Sequence, residues 1–364
     1  MADRKRYLLY PYSDQTYGLV KALLFSNKDI DIIGPIGIGL VNKDISYAVN
    51  RNEMGKIVKS IKEIEYKNYD VLIISSHINY PLCKNEIYEL ISHSKNENIE
   101  IIYLGEDEEI NKLLESYNKY SLDNLTNVKE IETIVRRYNE LNLPFYTLKT
   151  PIVYIGGLLE TIDSFNISLQ MKLSMGKLGY SVSLITKEMD GKYFGATNYP
   201  EIFMGKSESV ENQIISVNRW IQAIDYVEKP DIILMDIPKG MIQYSSSFHN
   251  SFGIYTYMIA QTLPPDYLIL TTPTTIMVKE YIDDINQYFH NNIGKGIDIL
   301  NITNAIYDIE VENSDAIGHP LYIAEKYINE IIVENKDSYD LNLTNLNEKE
   351  NIDISINNMI KKFS

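Results

Sequence analysis

At Pro151–Met175 a strand-forming run enters two glycines and then a helix-forming run, PIVYIGGLLETIDSFNISLQMKLSM. Ile152, Val153, Tyr154 and Ile155 make the unbroken apolar stretch expected of a strand buried in a parallel sheet. Gly156 and Gly157 permit a tight turn after it. Asp163 and Ser164 can cap the helix that follows. Strand, glycine turn and helix N-terminus in this order present backbone N–H groups to an anion.

The loop departs from the Walker A pattern, GxxxxGK[ST], in which a lysine reaches the β- and γ-phosphates. Counted from Gly157, Ile162 stands at the second glycine and Asp163 at the lysine; Ser164 alone fits. A carboxylate at the lysine position repels the phosphates it should attract. Downstream, KPDIILMDIPKG gives an apolar run ending in Asp236, the Walker B position, where an aspartate holds Mg²⁺ directly or through water. Lys239, just beyond it, or Lys187 can replace the missing lysine. Glu160 and Asp163 flank the loop tip and can accept a cation or a substrate amine, and Asp163 equally suits a helix cap. The candidate nucleotide-binding set is therefore Gly156, Gly157, Glu160, Asp163, Ser164 and Lys239. Asp236 is the candidate metal ligand, and the ligand class is ATP or GTP with Mg²⁺.

At 364 residues the chain exceeds what one core sustains, about 250–300 residues, so two domains are expected. Residues 1–148 alternate strand and helix signals: a strand at Tyr7–Tyr10, a helix at Asp14–Ser26, strands at Ile30–Ile33, Val71–Ser75 and Ile99–Leu104. This rhythm predicts a Rossmann- or flavodoxin-like parallel sheet covered by helices. Residues 149–334 repeat it with a helix over about Ser207–Tyr226, a strand at 267–273, a helix at 278–289, a strand at 297–303 and a last helix over Pro320–Ile332. Leu143-Pro144 and Thr150-Pro151 punctuate the boundary. Residues 335–364, rich in Asn, Asp and Lys, are read as a loose polar tail in which NIDISINNMIKKF can form a weak helix.

The net charge of −16, from 50 acidic and 34 basic residues, argues against a nucleic-acid surface or an anionic membrane surface, both of which need clustered basic residues. No apolar run reaches the roughly 18–20 residues that span a bilayer. The apolar stretch near the N-terminus is too short for a signal peptide. A cytoplasmic protein is expected. One cysteine, Cys83, excludes an intramolecular disulfide and a cysteine metal cage. None of the five histidines, His77, His93, His249, His290 and His319, has HExxH or i,i+4 metal spacing. His77 follows the strand VLIISS at its carboxyl end, where open α/β sheets bind ligands. His249 sits in the loop SSSFHNSFGIY. GPIGIG at 34–39 resembles a dinucleotide fingerprint, but its spacing is GxxGxG and no helix clearly follows. Gly37, Gly39, His77 and His249 are cleft candidates. No GxSxG nucleophile elbow is present.

The glycine loop, the KLGYSVSLIT strand, the hhhD-x-P-x-G strand and the TTP-ended strand together resemble the dethiobiotin-synthetase and MinD branch of P-loop proteins. The chain over roughly residues 7–330 also resembles a clostridial family of peptide maturation system proteins. The resemblance is carried by Tyr10-Pro11-Tyr12 and by GPIGIGLVNKD, with Gly37, Gly39, Lys43 and Asp44. It is carried further by GLLETIDSFNISLQ, with Gly157, Glu160, Phe165 and Gln170, and by the elements Ile237–Gly240, Phe248–Gly253 and Pro264–Asp266. The chain departs from that family at Ser164, where the family has a lysine, and at Leu159, where the family has a glycine. The resemblance implies a role in making a modified peptide or natural product. It implies partners such as a precursor peptide, a radical-SAM maturase or an acyl-carrier-like protein.

The expectation is a two-domain α/β protein, its second half P-loop NTPase-like with a degenerate phosphate loop. The favoured function is an accessory or scaffold component of a peptide maturation system with vestigial or weak nucleotide binding, and a homodimer is possible in that role. An ATP- or GTP-dependent ligase or kinase-like activating enzyme is the alternative. A small-molecule binding module built on the Gly34–Gly39 loop and His77 is a third. A positive charge within reach of the Gly156–Ser164 turn discriminates among them.

Overall fold

A computed structural model describes residues 5–78, 83–118, 126–141, 143–160, 162–205, 208–244, 249–307, 320–335 and 338–363. Phe248, Ser207, Thr161 and His319, each part of an expected element or site, lie outside the described residues. The chain divides into two compact units: residues 1–126 with Met189–Phe194, and 127–188 with 195–364. Among the described residues no helix is long and apolar enough to cross a membrane.

The first unit contains β1 (Arg6–Tyr10), α1 (Tyr17–Phe25), β2 (Asp29–Ile33), β3 (Val58–Lys59), β4 (Val71–Ile74), α2 (Lys84–Asn96), β5 (Glu100–Tyr103) and α3 (Glu108–Glu115). Its sheet has the order β3-β2-β1-β4-β5, and every pairing is parallel. This is the Rossmann order, with its reversal between β1 and β4. The two-residue period of each strand divides its side chains between two cores. Leu8, Tyr10, Leu72 and Ile74 pack with Ile87 and Leu90 of α2 on one face. Leu9, Ile32 and Ile73 pack with Leu19 and Leu23 of α1 on the other.

The second unit contains α4 (Val128–Glu140), β6 (Ile152–Gly157), α5 (Ile162–Lys177), β7 (Val182–Thr186), β8 (Thr197–Asn198), α6 (Glu201–Met204), α7 (Val210–Glu228), β9 (Ile232–Gly240) and α8 (Ile254–Thr262). It continues with β10 (Tyr267–Pro273), α9 (Lys279–Ile293), β11 (Ile299–Thr303), β12 (Ala305–Ile306), β13 (Leu321–Tyr322), α10 (Glu325–Asn335), β14 (Asn342–Thr344) and α11 (Lys349–Phe363). Seven strands run in the order β14-β11-β10-β6-β9-β7-β8, all parallel. β12 and β13 form a separate antiparallel ribbon. The glycine-ended β6 lies centrally and pairs directly with the Asp236-bearing β9, as a P-loop-like sheet requires.

The units divide about twenty residues before the Pro-marked boundary near 148. The reason is α4: its charged sequence hides an apolar stripe, with Ile131 fully buried and Val128, Ile134, Val135 and Tyr138 packed on the core of the second unit. The tail is likewise folded rather than loose. β14 pairs with β11, joining Ile299 to Asn342 and Leu300 to Leu343. α11 buries Ile352, Ile356 and Met359, which fall on one face at helical spacing. Polar composition concealed this because the asparagines have partners: Asn166 Nδ2 donates to Asn347 Oδ1 at 2.9 Å, and Asn351 Nδ2 to the Asn345 carbonyl at 2.9 Å.

Asp31 on β2 gathers charge in the first unit. It accepts from Lys59 Nζ at 2.8 Å and the Tyr69 hydroxyl at 2.7 Å, and pairs with Lys56 at 3.3 Å. Burial opposes its charge, but these partners outweigh it and hold the carboxyl down to about 2. Because that lies below the free value of about 3.9, the stabilisation is full above about pH 4 and fades as pH falls toward 2. Asp31→Asn should therefore cost about 1 kcal/mol near neutral pH, a figure already reduced for solvent screening. Denaturant unfolding at about pH 7 and pH 3 checks this: the gap between wild type and variant should shrink in acid.

Candidate functional site

Gly156 and Gly157 do not form the expected turn. They extend β6 to its end, and Leu158 continues the ladder by donating its N–H to the Thr271 carbonyl at 2.7 Å. Gly156 is needed for packing instead: a Cβ there would lie 2.5 Å from Met241 Sδ. α5 begins at Ile162, so Asp163 and Ser164 stand inside its first turn rather than at its cap. Asp163 is buried, with 1% exposure. A carboxylate in the first turn is favourable to the helix dipole.

The β6–β9 ladder is irregular where it meets this turn. Ile155 is opposite Asp236 and Gly157 opposite Gly240, so one residue on β6 faces three on β9. The surplus makes a bulge, which bends the strand and re-aims its side chains. Lys239 takes a left-handed φ of 63° there, a conformation that costs about 1–3 kcal/mol for a non-glycine residue and clusters at functional sites. Gly240 is fixed by Asn250, whose Nδ2 would be 1.7 Å from an added Cβ. That amide donates to the carbonyls of Leu158 at 2.7 Å and Ile242 at 2.6 Å, tying the loop after β9 to the turn after β6. Gly240 thus serves close packing. Asn250, absent from the sequence candidates, is the connector; its only sequence signal is its place in the HNSFG element.

The bulge delivers Lys239 to Glu160, with Nζ 3.0 Å from Oε2. Lys187, one residue past β7, pairs with the other Glu160 oxygen and lies 3.4 Å from Glu188. Burial alone would raise the Glu160 carboxyl, but the two lysines outweigh it and hold it below the usual range. Burial would lower Lys187, but Glu188 and Glu160 outweigh that and hold it above the usual range. The turn therefore has two positive charges within reach, both engaged by its own glutamate. Tyr307 fixes the same residue by donating its hydroxyl to the Glu160 carbonyl at 3.1 Å.

Asp236 lies beside this cluster, nearly unexposed at 2%. Its Oδ2 accepts from the Thr186 hydroxyl at 2.6 Å, and its carbonyl accepts from the Tyr199 hydroxyl at 3.1 Å. Burial pushes the carboxyl up to about 7; Glu188 adds to the rise, while Thr186, Ser164 and Lys187 oppose it. Its Oδ1 is buried with no hydrogen-bond partner among the described residues. An orphaned carboxylate oxygen with Ser164 against the same group fits a hydrated Mg²⁺, which takes one or two protein ligands and completes its shell with water and phosphate. No cluster of three or more His, Cys, Asp or Glu side chains suited to a metal occurs among the described residues. Thr186 was missed in the sequence because a lone threonine at a strand end carries no pattern.

The remaining candidates fall elsewhere. His77 lies in the first unit just beyond β4, with Nε2 4.0 Å from Asp190 Oδ2. The buried Asp190 accepts from Ser75 Oγ and from the Ser76 N–H, each at 2.7 Å. The Met189–Phe194 segment thus supplies a carboxylate that closes the carboxyl end of β4, where a Rossmann ligand would sit. Gly37 and Gly39 have φ of 91° and 74° with nothing within 4 Å of an added Cβ; they serve a turn, and no helix opens there. His249 stacks on Phe252, ring centroids 4.7 Å apart, and is not among the groups around Glu160.

No family model matches the chain, and no curated protein matches it. Its fold is similar to that of a DUF1611 family protein from Anabaena variabilis, with a TM-score of 0.56, 12% identity, and 98% of this chain and 99% of that chain covered. At that identity the likeness establishes a fold, α/β with two parallel sheets, and nothing further. A nucleotide-binding protein from Archaeoglobus fulgidus in complex with ADP aligns at a TM-score of 0.29, 9% identity, and 65% and 89% coverage. LpxK from Aquifex aeolicus in complex with ATP aligns at 0.22, 12% identity, and 60% and 78% coverage. Superpositions this loose carry no argument for this chain.

A carboxyl raised by folding contributes stability that is full below its unfolded value and is lost as pH rises through its folded value. For Asp236 that window runs from about pH 4 to about pH 7, and the loss at its upper end reaches about 4 kcal/mol. The thermal stability of wild type should fall between about pH 4 and pH 7, and Asp236→Asn should flatten this slope. Millimolar Mg²⁺ at about pH 8 should restore wild type and leave the variant unmoved. An unchanged slope in the variant contradicts the assignment.

Proposed function

We propose that the second unit is a phosphate- and nucleotide-binding module of low affinity without hydrolytic activity, and that the chain serves as an accessory or scaffold component of a peptide maturation system. The observation that carries the binding half is the Glu160 carboxylate lodged between Lys187 and Lys239. A P-loop-like turn needs a cation for the β- and γ-phosphates. Here two cations from neighbouring strand ends replace the lysine missing at Asp163. Glu160 already holds them, so a phosphate must displace a carboxylate of the same chain. ATP or GTP is the ligand class, with Asp236 and Ser164 holding Mg²⁺ when it is bound. The metal would neutralise phosphate charge and press Asp236 into its ionised form.

The maturation setting rests on the sequence resemblance, which gives the partners as a precursor peptide, a radical-SAM maturase or an acyl-carrier-like protein; the cytoplasmic setting rests on the short apolar runs of the sequence, and a homodimer is part of the same proposal. The acidic composition supports the exclusion of nucleic acid and membrane as partners.

An activating enzyme, an ATP- or GTP-dependent ligase or kinase-like protein, is the second reading. The convergence of Lys187 and Lys239 on the turn favours it, since such an enzyme needs that charge. Calorimetry with Mg²⁺-ATP separates the two. Wild type should bind no more tightly than high micromolar. Glu160→Gln removes one like charge about 4 Å from the phosphates and should tighten binding about tenfold. Adding Lys239→Ala should abolish the gain. Neither protein should release phosphate. Equal affinity in wild type and Glu160→Gln would sink the displacement account, and phosphate release on adding a carboxylate acceptor would establish the enzyme.

A further inference from the structure

Lys187 and Glu188 enter the second unit's site from the turn after β7, and the chain leaves that unit directly beyond them. Met189–Phe194 belongs to the first unit, and the chain returns to the second at Gly195. We propose that Asp190, the buried carboxylate of this excursion, is a positioning residue for phosphate binding: its attachment within the first unit holds Lys187 ready for the phosphates. The inference rests on the nucleotide-binding reading of the Glu160 turn.

The attachment is strong. Asp190 is 0% exposed, and a charge so buried is tolerated only when its oxygens are engaged. Oδ2 accepts from Ser75 Oγ and Oδ1 from the Ser76 N–H, each at 2.7 Å. His77 Nε2 lies 4.0 Å from Oδ2. Bonds to an ionised acceptor are about twice as strong as those between neutral groups. Further along the same segment, Lys192 Nζ lies 3.3 Å from Glu106 Oε1. Tyr193 and Phe194 pack on the core that holds Leu9, Leu19 and Ile73. Four of the six residues, at 190, 192, 193 and 194, are thus tied into the first unit.

The tether to the site is short. Only Glu188 and Met189 separate Lys187 from Asp190, which keeps their Cα atoms within about 10 Å even at full extension. On the other side β7 fixes Thr186 by its pairing with Asn198. Lys187 therefore sits on backbone held at both ends. The Glu188 N–H donates to Thr186 Oγ1 at 3.0 Å, and that hydroxyl donates to Asp236 Oδ2 at 2.6 Å. The peptide after Lys187 thereby also orients the hydroxyl on Asp236. A lysine side chain loses rotamer freedom whenever it binds. With its backbone already ordered, that side chain is all that remains to be fixed, and such preorganisation adds affinity. Releasing Asp190 would free the Glu188 peptide and return the backbone cost to the binding step.

The test uses the full chain carrying Glu160→Gln, where the tighter binding makes losses measurable, and Mg²⁺-ATP as the probe. Asp190→Asn keeps the size of the side chain and removes its charge. Ser75→Ala removes one donor, and as the milder change it carries the same comparison should the first variant not fold. Calorimetry should show both weakening Mg²⁺-ATP, Asp190→Asn by at least about fivefold. The loss should run through Lys187: with Lys187→Ala also present, adding Asp190→Asn should cost less than about twofold. A merely structural role would weaken both backgrounds alike. Hydrogen exchange gives a readout without ligand: the Glu188 amide should exchange faster in Asp190→Asn, while that of Leu184 within β7 stays as in the parent. Unchanged affinity, an equal loss in the Lys187→Ala background, or unchanged exchange at Glu188 overturns the inference. Failure of the Glu160→Gln parent itself to bind Mg²⁺-ATP is a distinct result, which removes the nucleotide-binding reading and this inference with it.

Discussion

The parallel pairing of β6 with β9, and the surplus of residues that β9 carries at its carboxyl end, set the positions of Asp236 and Lys239 in the second unit's site. Ile155 opposite Asp236 places the buried carboxylate at the rim of the sheet. The bulge before Gly240 turns Lys239 inward with a left-handed backbone. The bulge in turn depends on a side chain lying against backbone: Gly240 has no Cβ, so the Asn250 amide can cross it and grip the carbonyls of Leu158 and Ile242. A side chain at 240 would drive that amide out and release the turn that carries Glu160.

Electrostatics then explain why such a site is stable without a ligand. Two ammonium groups brought to one partly buried place repel, and each is costly if left without a counter-charge. Glu160 supplies that counter-charge from the turn itself, and Glu188 adds to it for Lys187. The same network burdens Asp236: it is buried, it lies near Glu188, and its remaining oxygen has no partner among the described residues. A ligand bringing phosphate to the lysines and a divalent cation to Asp236 would relieve both tensions together. In the first unit, Asp190 is held by Ser75 and Ser76 just beyond the carboxyl end of β4.

Much of this was legible in the sequence. Apolar runs such as VLIIS and IILM give buried strands unambiguously, and their order with the intervening helices gives two parallel sheets. Asp236, Glu160, Lys187 and Lys239 are identifiable from position relative to a strand end. Their mutual pairing is not, because it depends on a bulge that no local pattern announces. Gly156 and Gly157 read as a turn since glycine is permissive; only the packing of Met241 shows that the missing Cβ serves a strand. α4 and the C-terminal strand and helix were obscured by charge and asparagine content. Their apolar faces are narrow, and their polar groups find partners in tertiary contacts that sequence spacing does not reveal.

The central claim is that Glu160 stands where a phosphate would bind. A crystal structure of the full chain grown with Mg²⁺ and a non-hydrolysable ATP analogue tests it most directly. The account predicts the terminal phosphates between Lys187 and Lys239, the Glu160 carboxylate displaced from both, and Mg²⁺ on the Asp236 side of the turn. A bound analogue that leaves Glu160 paired with both lysines, or that lies away from the turn between β6 and α5, would contradict it.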